Sequence, residues 1–172
     1  MNIFYLHKDP EIAPTYLYDK HKVKMILETA QMLCTAHHHY ADKYNIDKTY
    51  IPYKPAYVNH PSTVWARQSK QNYIWLWQYF LAINDVYTKR YGKIHTSYIK
   101  LMSSMVNLPF QIPDTKFTQP PQCMPDEYKN KCSVSAYWNY YCGGKQHIAN
   151  KGETVYLPTL RSKLTSILTN ML

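Results

Sequence analysis

The stretch Asp19-Lys20-His21-Lys22-Val23-Lys24-Met25-Ile26-Leu27-Glu28-Thr29-Ala30-Gln31 constrains the fold more than any other. Residues three and four apart share one face of a helix. Val23, Ile26, Leu27, Ala30, Leu33 and Cys34 then form one apolar stripe. A helix with such a stripe must bury it against other elements. His21, Lys24, Glu28 and Gln31 form a second row over about two and a half turns. The row aligns an acid–base group, an amine, a carboxylate and an amide. It is either a solvated face or the wall of a site.

The helix extends from about Pro14 or Asp19 to Tyr44, preceded by a short strand or extended segment from Asn2 to His7. Asn45 to His60 contains Pro52 and Pro55 and reads as an irregular loop. A long helix starts near Pro61, where the missing proline N–H costs nothing, and ends at Gly92. Further helices are expected from His95 to Val106, from Val134 to Cys142 and from Thr159 to Met171. Pro109, Pro113, Pro120, Pro121 and Pro125 mark a long connection, with one turn expected at Asp126 to Lys129. The predicted class is mainly α: a compact single-domain helical bundle over residues 1–172, with a short N-terminal extended segment and long Pro-rich connections.

The 20 Lys and Arg outnumber the 11 Asp and Glu, for a net charge of +9. That excess favours a polyanionic partner, DNA or a phosphate-bearing nucleotide. The 18 Tyr and 4 Trp suit base stacking and phosphate contacts, although most must serve the core. No apolar run reaches membrane-spanning length, and no basic-then-apolar leader opens the chain, so no membrane partner is expected. Cys34, Cys123, Cys132 and Cys142 contain no C-x-x-C pair, which points to free thiols in a reducing cytosol. Consecutive His37, His38 and His39 diverge by about 100° on a helix, so they form no metal site. Phosphate-binding glycine loops and a Gly-x-Ser-x-Gly elbow are missing too, and no cofactor is expected.

Glu28 heads the candidates for chemistry, with Lys24, His21 and Lys20 on the same helix. A carboxylate beside an amine can act as a general base or stabilise a developing cation. An ordinary solvated Glu–Lys pair is the alternative. Asn59-His60-Pro61-Ser62 opens a helix whose free N–H groups suit a phosphate, although His60 or Ser62 could equally be a cap. Trp65, Arg67, Asn72 and Tyr73 offer a stacking plate, a phosphate fork and an amide that can read a base edge. Their alternatives are core packing and surface charge. Tyr91-Gly92-Lys93-Ile94-His95, preceded by Arg90, is a tight basic turn that could clamp a backbone phosphate or be a plain connection between helices. Tyr137, Tyr140, Tyr141 and Lys145 form an aromatic-basic cluster beside Gly143-Gly144 that suits phosphate or single-strand contacts, with at least two of the Tyr expected in the core.

These motifs together carry a resemblance. The quoted residues are Asn2-Ile3-Phe4-Tyr5-Leu6, Asp19-Lys20-His21 with Val23 to Glu28, Ala30-Gln31, Asn59-His60-Pro61-Ser62 with Trp65, and Asn72-Tyr73 with Trp75-Leu76. Arg90-Tyr91-Gly92-Lys93 and Pro121-Gln122 with Met124 to Tyr128 complete the pattern. The chain resembles a family of small tailed-bacteriophage proteins and is similar to pyrimidine-dimer DNA glycosylases of endonuclease V type. The resemblance implies a helical DNA-repair enzyme of the host cytoplasm. Such an enzyme uses an N-terminal α-amine as nucleophile and a helix-borne Glu, and opens the lesion by flipping. Glu28 matches that carboxylate. Asn2 is not a small residue, so Met1 is expected to be retained in place of a processed Thr amine. The nucleophile is then Met1, Lys20 or Lys24; without one, the enzyme is a monofunctional glycosylase using activated water. The competing expectation is a nucleotide- or DNA-binding phage protein without catalysis, such as a counter-defence nucleotide sponge.

Overall fold

Helix α1 (Asp19–Tyr44) is the longest described element, and Asn45 in the left-handed region closes it. The computed structural model describes residues 1–105 and 107–150. Among these residues α1 is followed by α2 (Pro61–Gln68), α3 (Lys70–Tyr91), α4 (Thr96–Met102) and α5 (Ser133–Gly143). Single 3-10 turns lie at Ala13–Tyr16, Asp126–Tyr128 and Gln146–Ile148, and no strand occurs among the described residues. The class is mainly α. The terminal helix expected at Thr159 to Met171 lies outside the described residues.

Helix α1 packs on α2, α3 and α4, so its buried arc is wide. It buries Met25, Ile26, Thr29, Ala30, Met32, Leu33, Cys34, Ala36 and His37. This corrects the expected stripe: Val23 and Leu27 are exposed, because the core arc is centred on Ile26, Ala30 and Leu33.

The long helix expected from Pro61 to Gly92 is two helices. Ser69 is extended (φ −148°, ψ 140°) and separates α2 from α3. Its Oγ accepts the Gln71 N–H and donates to the Thr115 carbonyl at 2.6 Å. The Lys70 N–H leaves the helical ladder for the Pro113 carbonyl, 2.8 Å away. The Pro-rich connection therefore supplies the partners that make this break stable. Gly92 (φ 68°) ends α3 in a conformation that other residues adopt at a cost.

The first seven residues have no regular structure, yet Ile3, Phe4, Tyr5 and Leu6 are all buried. Phe4 holds a left-handed φ of 47°, a costly state for a bulky residue. Packing compensates: its ring stacks on His21 at 4.3 Å and meets the Tyr141 ring edge-on at 5.3 Å. The Trp138 indole donates to the Leu6 carbonyl and the Trp75 indole to the Lys8 carbonyl, each at 2.8 Å. The chain start is thereby threaded between α1, α3 and α5. No described helix is long and apolar enough to cross a membrane.

Candidate active site

The buried opening segment brings the Met1 amine to the second row of α1. The Met1 nitrogen lies 3.7 Å from Glu28 Oε2, and the Asn2 N–H donates to the same oxygen at 3.1 Å. Glu28 Oε1 faces Lys24 Nζ at 3.3 Å. The Glu28 side chain is only 13% exposed, whereas Lys24 is 67% exposed. The carboxylate thus sits at the base of a group whose outer member reaches solvent.

A cleft of about 250 Å³ opens over this group, lined by residues including Met1, Asn2, His21, Lys24, Glu28 and Lys145. Three members of the polar row, His21, Lys24 and Glu28, fall on its wall because they stand at helical spacing. Phe4, Met25, Cys123 and Tyr140 complete it from the opening segment, α1, the Pro-rich connection and α5. Lys145 also lies over the Tyr140 ring, 5.1 Å from its centroid. Lys20 is exposed one turn earlier and does not line the cleft.

His21 is buried, with Nδ1 2.9 Å from the Tyr141 hydroxyl. Burial first, and then the positive charges of Lys145 and Lys24, push its imidazole down to about 4. It is neutral near pH 7, so the structure makes it a packed wall residue and not a proton carrier poised near neutrality. Tyr141, expected at a phosphate, is buried and accepts the Tyr18 N–H at 2.7 Å.

His60 is the N-cap of α2, and its Nδ1 accepts the Ser62 N–H at 3.2 Å. Its imidazole is held below the usual histidine range by burial, then by the Met1 amine, against the opposing pull of Glu28. Ser62 is buried, with Oγ 3.4 Å from Cys123 Sγ, and has no exposed face for a phosphate.

Among the remaining candidates, Trp65, Asn72 and Tyr73 are spent inside the protein. Trp65 is buried and donates from Nε1 to the Thr118 carbonyl at 3.0 Å. Asn72 is buried too; it donates to the Trp65 carbonyl at 3.1 Å and accepts the Thr118 N–H at 2.9 Å. Tyr73 is buried with its hydroxyl 2.8 Å from His37 Nε2. Trp65 and Asn72 build the core against the Pro-rich connection and Tyr73 builds it against α1, and none offers a face to a base. Arg67 donates to the Val58 carbonyl at 2.7 Å. Arg90 pairs with Asp19 at 2.8 Å, tying the end of α3 to the start of α1. Lys93 is exposed in the α3–α4 turn and does not line the cleft.

Tyr140, a member of the aromatic-basic cluster read from the sequence, lines the cleft with Lys145; Asn2 and Cys123 line it too and are not picked out as site residues by sequence reasoning. Asn2 and Cys123 carry no local signal, because their contact joins distant parts of the chain.

No curated protein and no solved structure matches the chain. The family profile described as pyrimidine dimer DNA glycosylase matches residues 1–100, which include the opening segment, all of α1 and the Glu28 group. That span exceeds half of the 172 residues, and the chain belongs to the pyrimidine dimer DNA glycosylase family.

Proposed function

We propose that this protein is a phage DNA glycosylase/lyase, with the Met1 α-amine as nucleophile and Glu28 as catalytic carboxylate. Its substrate class is duplex DNA carrying a damaged or modified base such as a pyrimidine dimer. The observation that carries the reading is the amine held 3.7 Å from a largely buried carboxylate within an open cleft. Membership of the glycosylase family and the net charge of +9 support a DNA substrate.

The chemistry follows from that pair. Once the terminal ammonium has given one proton to solvent, the amine attacks C1′ of the damaged nucleotide, the C1′–N bond breaks, and the bonding electrons leave on the base, which takes a proton from solvent. Glu28 accepts the proton released by the attacking nitrogen. The sugar then opens at C1′–O4′; Glu28 returns the proton to O4′, and a protonated imine remains. In the ring-closed stage the carboxylate also stabilises the positive charge developing at C1′. Lys24 and Lys145 at the rim are suited to the flanking phosphates.

Glu28→Gln tests the reading. It keeps the side-chain size but cannot accept the proton, so base release from ultraviolet-irradiated duplex should be lost while duplex binding persists. Undiminished base release would refute the role of Glu28.

A further inference from the structure

The Pro121–Cys123 segment and α5 lie beyond residues 1–100, the span that matches the family, yet they hold the chain start. Asn2 is the point of attachment. Its Nδ2 donates to the Cys123 carbonyl at 2.9 Å. Its Oδ1 accepts the Ile3 N–H at 2.8 Å and lies 2.7 Å from the Tyr137 hydroxyl. Its own N–H is the donor to Glu28. Tyr137 is fully buried on α5, and its hydroxyl also lies 2.7 Å from the Pro121 carbonyl oxygen. The Cys123 N–H reaches that hydroxyl at 3.4 Å, so one phenol oxygen gathers Asn2 and both ends of the Pro121–Cys123 segment.

We propose that Tyr137 is a positioning residue for the reaction: it locks Asn2, and Asn2 fixes the Met1 α-amine against Glu28. This rests on the function proposed above. The peptide bond between Met1 and Asn2 is planar, so with the Asn2 nitrogen held on Glu28, rotation about Met1 ψ alone sets where the amine points. A chain terminus without such an anchor is free to sample many orientations, and ordering it beforehand lowers the barrier to attack. Tyr137 does not touch the reacting atoms. Burial raises its phenol above the usual tyrosine range, so it remains a protonated donor throughout the working pH range.

The test compares wild type, Tyr137→Phe, Asn2→Ala and Tyr40→Phe. Tyr137→Phe keeps the ring and removes only the hydroxyl. Tyr40→Phe is the control for stability alone: it removes a buried phenol hydroxyl that donates to the Arg67 carbonyl at 2.6 Å, a bond that involves no residue of the opening segment. One readout needs no DNA, the hydrogen exchange of the Asn2 amide followed by NMR. The other is kcat against KM for borohydride-trapped adduct on abasic duplex. Tyr137→Phe should cut Asn2 amide protection by about tenfold and kcat by a similar factor at unchanged KM. Asn2→Ala should reproduce the loss in kcat, and Tyr40→Phe should produce neither effect. Unchanged Asn2 protection in Tyr137→Phe, or equal losses in Tyr40→Phe, overturns the proposal. If protection falls as expected but wild type traps no adduct, the anchor stands and the amine-nucleophile reading of the proposed function fails.

Discussion

The Met1 nitrogen and Glu28 Oε2 lie 3.7 Å apart, and Asn2 donates its N–H to that same oxygen. A terminal amine and a helix-borne carboxylate, 27 positions apart in the sequence, are thus brought into one group. Burial of the four residues that follow Asn2 makes this possible, since it fixes the path by which the chain start reaches α1.

Replacing Glu28 by Gln should lower single-turnover base release by about 10²–10⁴-fold, the range for loss of a positioned acid–base group. KM should change little, because the carboxylate acts on the reacting centre and not on the phosphates. Quenched-flow assays on irradiated duplex would check this, with the melting temperature measured alongside to exclude unfolding.

Asn72→Ala should act on stability and not on DNA. It strips partners from the Trp65 carbonyl and the Thr118 N–H, both held by the Asn72 amide. Leaving buried polar groups unpaired costs about 1–3 kcal/mol each. Urea denaturation should show a loss of that order, with KM for duplex unchanged once the folded fraction is allowed for. A selective rise in KM at full stability would instead assign Asn72 to base reading.

Acid should destabilise the protein through two buried histidines. His37, bridged between the Tyr50 and Tyr73 hydroxyls, is pushed down to about 4 by burial and then by His38, and His21 falls to a similar value. Between about pH 6.5 and 4 the unfolded chain binds protons that the native state refuses, so stability falls as pH falls across that window. Above it their contribution is full, and below it they add no further loss. The shift from 6.5 to about 4 corresponds to roughly 3 kcal/mol per histidine as an upper figure. Urea midpoints at pH 7 and pH 4.5 would measure the effect. Imidazole resonances that titrate near 6.5 would contradict it.

Lys145→Ala should raise KM several-fold and leave kcat nearly unchanged, since Lys145 lines the cleft without contacting Glu28 in the hydrogen-bond or ion-pair geometry. Its loss should also reduce the dependence of binding on salt, as expected when one phosphate contact is removed. Binding isotherms at two or more salt concentrations would read both effects.

Helix α1 and the His21, Lys24 and Glu28 row were legible because helical periodicity is a local property. Which aromatic side chains enter the core is not local, so Trp65 and Tyr73 read equally well as a binding face. The break at Ser69 was hidden for the same reason: no Gly or Pro marks it, and its stabilising partners, Pro113 and Thr115, come from a distant segment. Helical spacing puts Val23 and Leu27 on the apolar stripe, but α1 is packed by three helices and its buried arc lies elsewhere. The joining of Asn2 to Cys123 and Tyr137 depends wholly on tertiary contacts, and no spacing in the chain announces it.

The most direct test of the account is borohydride trapping on irradiated duplex, followed by proteolysis and mass mapping of the adduct. The account predicts a single adduct on the Met1 α-amine, retained in Lys20→Ala and Lys24→Ala and abolished when that amine is blocked. An adduct on a lysine side chain, or base release with no adduct at all, would contradict it.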